Sequence, residues 1–143
     1  MNRKQLFAAA ILIATLAAVS AGCSGGDHSL PMASLDGMPH DVQTAPVVVR
    51  EAYQFAAANP DIMQQIPCYC GCGDMGHTSN YACYISDVSD DGKITYDSHA
   101  LGCSICVDIT QDTLRLLKQG KAAQEIKAYV DSTYSKYGPS NMP

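Results

Sequence analysis

Three cysteines alternate with single residues in Pro67-Cys68-Tyr69-Cys70-Gly71-Cys72, and His77 follows five positions later. A second cluster reads Cys103-Ser104-Ile105-Cys106, with His99 four positions ahead of it and Cys83 lying between the two clusters. A thiolate is at once a nucleophile, a soft metal ligand and half of a disulfide. These residues can therefore staple the chain, hold metal or carry electrons.

Spacing bears on the choice. A disulfide between positions i and i+2 is strained. Three disulfides would therefore run mainly from Cys68, Cys70 and Cys72 to Cys83, Cys103 and Cys106. Gly71 and Gly73 suit a different use, because glycine lets the backbone turn until neighbouring thiolates converge on one centre. On that reading Cys68, Cys70, Cys72, Cys83, Cys103 and Cys106 are thiolate donors, and His77 and His99 are auxiliary ligands. Such a set is enough for two tetrahedral sites or one thiolate-bridged cluster. Soft thiolate ligation selects Cu(I), Zn(II) or iron–sulfur.

Electron transfer is the third reading, through an iron–sulfur site or through reversible dithiol chemistry at Cys103 and Cys106. Those two precede a helix expected from near Val107, whose N-terminus favours thiolate over thiol. A thioredoxin-type pair would need a βαβ context, which the pattern lacks, and a c-type haem would need histidine where Val107 stands.

A second motif lies between the clusters, in Asp87-Val88-Ser89-Asp90-Asp91-Gly92-Lys93-Ile94 and onward to Ser98. Read as an EF-hand loop, Asp87, Ser89 and Asp91 take its first, third and fifth positions, Lys93 offers a carbonyl, and Gly92 makes the turn. The closing acidic ligand is replaced by Ser98, with Asp97 one place early, so any Ca(II) site here is weak. The plainer reading is a hairpin turn at Asp91-Gly92.

Helices must position these groups. Pro46 suits a helix start, and Val48, Ala52, Phe55 and Ala56 recur at helical spacing. Asn59 and Pro60 read as N-cap and first residue of a short helix leading to Pro67. Beyond the cysteines, Ile109, Thr113, Leu116 and Leu117 line one face up to Gly120, and Ala122, Ile126, Tyr129, Val130 and Thr133 line the next up to Gly138-Pro139. Lys121 with Glu125, and Lys127 with Asp131, stand four apart on the outer face. The fold class is mainly α: a small helical domain, residues 46–143, with a Cys-rich irregular middle held by metal or disulfides. Lys93–Ser98 supplies one short strand. A middle of some forty residues with few large apolar side chains does not order itself without such cross-links.

The beginning of the chain indicates where it works. Arg3 and Lys4 precede the apolar run Leu6–Val19, and Ser20-Ala21-Gly22 leads directly to Cys23. Residues 1–22 read as a lipoprotein signal peptide and Cys23 as the lipidated residue, with Ser20 where leucine is commoner. Residues 23–45 then read as a flexible tether, carrying His28, Met32, Met38 and His40 as soft or borderline ligands. The chain of 143 residues carries −5, and cleavage before Cys23 removes Arg3 and Lys4 to leave −7. Such a chain has no electrostatic reason to bind nucleic acid.

Pro67–Cys72, Gly76-His77, Cys83, His99 and Gly102–Asp108, followed by helices, resemble the PCYCGC-motif-containing lipoproteins of bacteria over roughly residues 46–137. Tyr84 is a departure, phenylalanine being expected there. The resemblance implies export and a metal-binding role. Together these readings give a lipid-anchored binding protein on the extracytoplasmic face of a bacterial membrane. Its cargo is a soft metal, copper first and zinc second, for sequestration or hand-over to an extracytoplasmic partner protein. No nucleophile–base–orienter set or paired carboxylates stand in a motif, so binding rather than catalysis is expected. The alternatives are a disulfide-stapled interaction module and the electron-transfer protein.

Overall fold

The computed structural model describes residues 29–143. The signal peptide, Cys23 and His28 lie outside the described residues. Within them the chain forms α1 (His40–Thr44), α2 (Val47–Ala58), α3 (Pro60–Met63), strands β1 (Ile85–Val88) and β2 (Ile94–Tyr96), α4 (Ser104–Lys118) and α5 (Ala123–Tyr134). The fold is mainly α with one small antiparallel hairpin, as the sequence implies. No helix among the described residues is long and apolar enough to cross a membrane.

α4 is the central element, packed between α2 and α5. Its buried residues Cys106, Ile109, Thr110, Thr113 and Leu116 recur every three or four positions, so one stripe of the helix faces inward. α5 answers with Ile126, Val130 and Tyr134, one turn apart. α2 contributes Ala52, Tyr53, Phe55 and Ala56, while Val48, expected on this face, is 44% exposed. α4 ends at Lys118, and two residues on Gly120 takes a φ of +76° that is open to glycine at little cost. There Gly120 N–H donates to Leu117 and Lys121 N–H to Leu116, satisfying carbonyls the helix end leaves free. The two outer ion pairs form, Lys121–Glu125 at 2.9 Å and Lys127–Asp131 at 2.8 Å.

Two expectations are corrected. α4 begins at Ser104 rather than near Val107, so Cys103 occupies the N-cap position and Cys106 lies inside the first turn. The stretch read as a flexible tether is also packed from about Leu30 onward. Ala33 N–H donates to the Gln54 carbonyl at 3.0 Å, and the Gln54 side chain returns a bond to the Ala33 carbonyl at 2.8 Å. Asn59 is at the N-cap of α3, yet its amide serves the Pro31 and Phe55 carbonyls. Met38 and Val42 then enter the core. Their apolar area, small as it is, outweighs the Gly, Ser and Pro content that suggested a solvated linker.

Candidate metal centre

The motif loop is built by two left-handed glycines. Gly71 (φ +81°) and Gly76 (φ +86°) bracket a single 3₁₀ turn, Cys72–Met75, which folds the chain back so that Cys72 rejoins Cys68 and Cys70. Gly73 lies inside this turn without a positive φ. A Cβ placed on it would stand 3.7 Å from Asn141, an ordinary contact, so the position does not require glycine.

Two long-range ties hold the loop in place. Tyr69 donates its hydroxyl to Asp131 at 2.6 Å, fastening the motif to α5. Asn141 takes the Cys68 N–H at 2.7 Å, and its own N–H donates to the Cys68 carbonyl at 3.0 Å. The Asn141 amide then donates to the Ser79 carbonyl at 3.1 Å and reaches the Cys72 sulfur at 3.5 Å. Neither tie was legible in the sequence: Asn141 follows a Gly-Pro stop and belongs to no motif.

The sulfurs converge. Cys68 lies 3.4 Å from Cys70 and 3.5 Å from Cys106, and Cys70 lies 3.5 Å from Cys106. Cys72 and Cys83 are 3.7 Å apart, sulfur to sulfur. Sulfurs on a tetrahedral ion with metal–sulfur bonds of about 2.3 Å stand about 3.8 Å apart. These separations are close to that edge length and far beyond a disulfide bond of about 2.05 Å. All six cysteines of the domain are free thiols, so the structure does not build the disulfide framework.

Three overlapping sets of four donors have their ligand atoms within 4.8 Å of one another: Cys68, Cys70, Cys72, Cys83; Cys70, His99, Cys103, Cys106; and Cys72, His77, Cys83, His99. Every thiolate and imidazole expected from the sequence belongs to at least one set. The His99 Nε2 is 3.4 Å from the Cys70 sulfur, and the His77 and His99 rings meet edge to face with centroids 5.1 Å apart. His77 is buried, and its Nδ1 has no hydrogen-bond partner. Its Nε2 lies 3.6 Å from Asp97 Oδ2, while Asp97 Oδ1 accepts the His99 N–H at 2.7 Å. One carboxylate therefore touches both histidines.

Packing the thiols together sets their protonation. Cys106 and Cys83 direct S–H groups at Cys68 and draw its pKa far below the usual thiol range. Cys106 is pushed far up by donating to Cys68 and Cys83 and by burial. Burial, with the neighbouring Cys72 and Cys68, likewise raises Cys70. At Cys83 the bond from Cys106 pulls down, but donation to Cys68, burial and nearby charge outweigh it.

The Cys106 carbonyl anchors the buried side of the cluster. Tyr84 donates to it at 2.9 Å, Thr110 at 3.1 Å and Asn80 at 3.3 Å. Cys103 stands apart on the surface side, beside an apolar cavity of about 310 Å³ whose walls include Val48, Leu101 and Val107. Cys106 lies 3.5 Å from both Cys68 and Cys70, so it is shared with the first cluster as well as with Cys103.

At the EF-like stretch the structure builds the plainer reading, a hairpin. β1 and β2 pair around the turn, with Val88 opposite Ile94, and Gly92 N–H donates to the Ser89 carbonyl. Asp91 is engaged by the Ser89 hydroxyl and Lys93 N–H, and Asp97 faces the histidines. The acidic groups of Asp87, Asp91 and Asp97 belong to none of the donor sets among the described residues. A hairpin forms because its ladder satisfies the backbone without an ion. Of the soft residues before the domain, Met38 is core and Met32 and His40 are exposed.

No curated protein and no solved structure matches this chain. The model of a family described as "Protein of unknown function with PCYCGC motif" matches residues 17–143, and the chain belongs to that family.

Proposed function

We propose that this is an exported, lipid-anchored protein that binds a soft metal ion at the Cys/His cluster, copper(I) first and zinc(II) second. It holds the ion for sequestration or for hand-over to a partner at the extracytoplasmic membrane face. One observation carries the reading: six free thiols and two imidazoles gather at metal-ligand separations. Thiolate-rich sets select Cu(I) and Zn(II), and Cu(I), the softer of the two ions, is ranked first. The role is binding rather than catalysis, since each group in the cluster is a donor and the nearby carboxylate is directed at histidine.

The test is elemental mass spectrometry on the chain exported with its own leader and purified without chelator. Copper at a whole-number ratio supports the reading, and zinc at such a ratio moves it to the second metal. A folded, reduced sample that neither carries nor takes up either metal overturns it.

A further inference from the structure

We propose that the eight donors make two adjoining and chemically unlike metal sites, a mixed one of Cys72, Cys83, His77 and His99 and an all-sulfur one of Cys68, Cys70, Cys103 and Cys106. This rests on the metal-binding reading and divides the cluster that reading treats as a whole.

The mixed set is complete in itself, its four ligand atoms lying within 4.8 Å of one another. It holds both imidazoles, and its two sulfurs are 3.7 Å apart. When it is taken out, Cys68, Cys70 and Cys106 remain as a triangle with sides of 3.4 to 3.5 Å. Cys103 supplies the fourth corner, within 4.8 Å of Cys70 and Cys106. Each donor is then used once and each ion is four-coordinate, the arrangement closed thiolate–imidazole sites adopt. Exchanging His99 for Cys68 would also leave four donors on each side, but it would break the Cys68–Cys70–Cys106 triangle and part the two histidines that Asp97 holds together. The sites adjoin because Cys68 and Cys70 also lie within 4.8 Å of Cys72 and Cys83.

Asp97 serves the mixed site alone. Its Oδ2 faces His77 Nε2 at 3.6 Å, which leaves the buried, unpartnered Nδ1 as the nitrogen free for the ion. Its Oδ1 fixes the backbone of His99 at 2.7 Å. A carboxylate behind a ligating imidazole fixes ring orientation and raises ligand basicity. Asp97 is held in turn by Tyr53, whose hydroxyl donates to the Asp97 carbonyl at 2.8 Å, and by its own N–H to Tyr84. A divalent ion is balanced by two thiolates in the mixed site and over-balanced by four in the other. The mixed site therefore favours the borderline ion and the all-sulfur site the softer one.

The experiment is cadmium-113 NMR of the reduced full chain, titrated with cadmium to saturation. Two resonances of equal area are expected, one in the all-sulfur range and one upfield in the mixed sulfur–nitrogen range. His77→Ala should remove the upfield signal and keep the other, while Cys103→Ser should perturb the downfield signal and keep the upfield one. Asp97→Asn, a positioning change, should weaken only the upfield site, about 10- to 100-fold in affinity. A single resonance at saturation overturns the two-site inference and leaves metal binding standing. So does the loss of both signals together in His77→Ala and in Cys103→Ser when circular dichroism shows both variants folded. Absence of any bound cadmium in the parent overturns the metal-binding reading itself.

Discussion

Asn141 and Cys68 are bonded twice across 73 positions: Cys68 N–H donates to the Asn141 side-chain oxygen at 2.7 Å, and Asn141 N–H donates to the Cys68 carbonyl at 3.0 Å. The last residues of the chain therefore clasp the first cysteine of the motif. Asn141→Ala keeps the backbone bond but strips those to Cys68 N–H, the Ser79 carbonyl and the Cys72 sulfur. We expect a loss of about 1–3 kcal/mol, seen as a lower midpoint in denaturant unfolding, since part-buried partners are left unmade. Faster release of bound metal to a competing chelator should accompany it.

The two glycines of the motif should respond differently. Gly71 holds a left-handed φ with open space around a would-be Cβ, so Gly71→Ala carries only backbone strain, about 1–2 kcal/mol. At Gly73 the new Cβ would make an ordinary contact at 3.7 Å with Asn141. Gly73→Ala should therefore stay within about 0.5 kcal/mol of the parent. Chemical denaturation of both variants checks the contrast, and equal losses would contradict the turn assignment.

The Tyr69–Asp131 tie predicts an alkaline limit. Burial, and the bond to Asp131, raise the Tyr69 pKa from 10.0 to about 12. A raised folded value stabilises the protonated form, so this contribution is fully present below about pH 10 and is lost as pH rises through 12. The thermal midpoint should fall between those values, and Tyr69→Phe should flatten that part of the curve. Asp131 runs oppositely: though burial opposes it, bonds from Lys127 and Tyr69 hold its pKa below the usual carboxylate value. Its contribution disappears only as pH falls below about 4.

Metal uptake should release protons. Cys70, Cys83 and Cys106 are raised above the ordinary thiol value, so they are protonated at neutral pH and must lose those protons to bind. Apparent affinity should therefore rise with pH. Unbuffered titration with a pH indicator checks this, and an affinity flat from pH 6 to 8 would contradict it.

Helical periodicity was the readable part. Ile109, Thr113 and Leu116 on α4, and Ile126 and Val130 on α5, are buried as their spacing requires. The burial of Tyr53 and Tyr84 was not legible, because a tyrosine is buried only where its hydroxyl finds a partner. Those partners, the Asp97 and Cys106 carbonyls, lie 44 and 22 positions away. The donor residues were legible from type and spacing alone. Their grouping was not, because it depends on where the Gly71 and Gly76 turns bring the chain back. Asp97 was read from the local pattern as a candidate weak calcium ligand, whereas its approach to His77 depends on the fold.

The docking of Pro31 and Ala33 against α2 has a consequence for reach. With the proposed lipid on Cys23, only about seven residues separate the anchor from the first fastened position. That leash spans at most about 25 Å even when fully drawn out, less than the breadth of a domain this size, whose radius of gyration is about 13 Å. A tether running freely to residue 45 would let the domain roam several times farther. With that lipid in place, the fastened arrangement would keep the domain within about its own breadth of the headgroups. A metal exchanged there would be met most readily by a recipient embedded in the same membrane, on the same side.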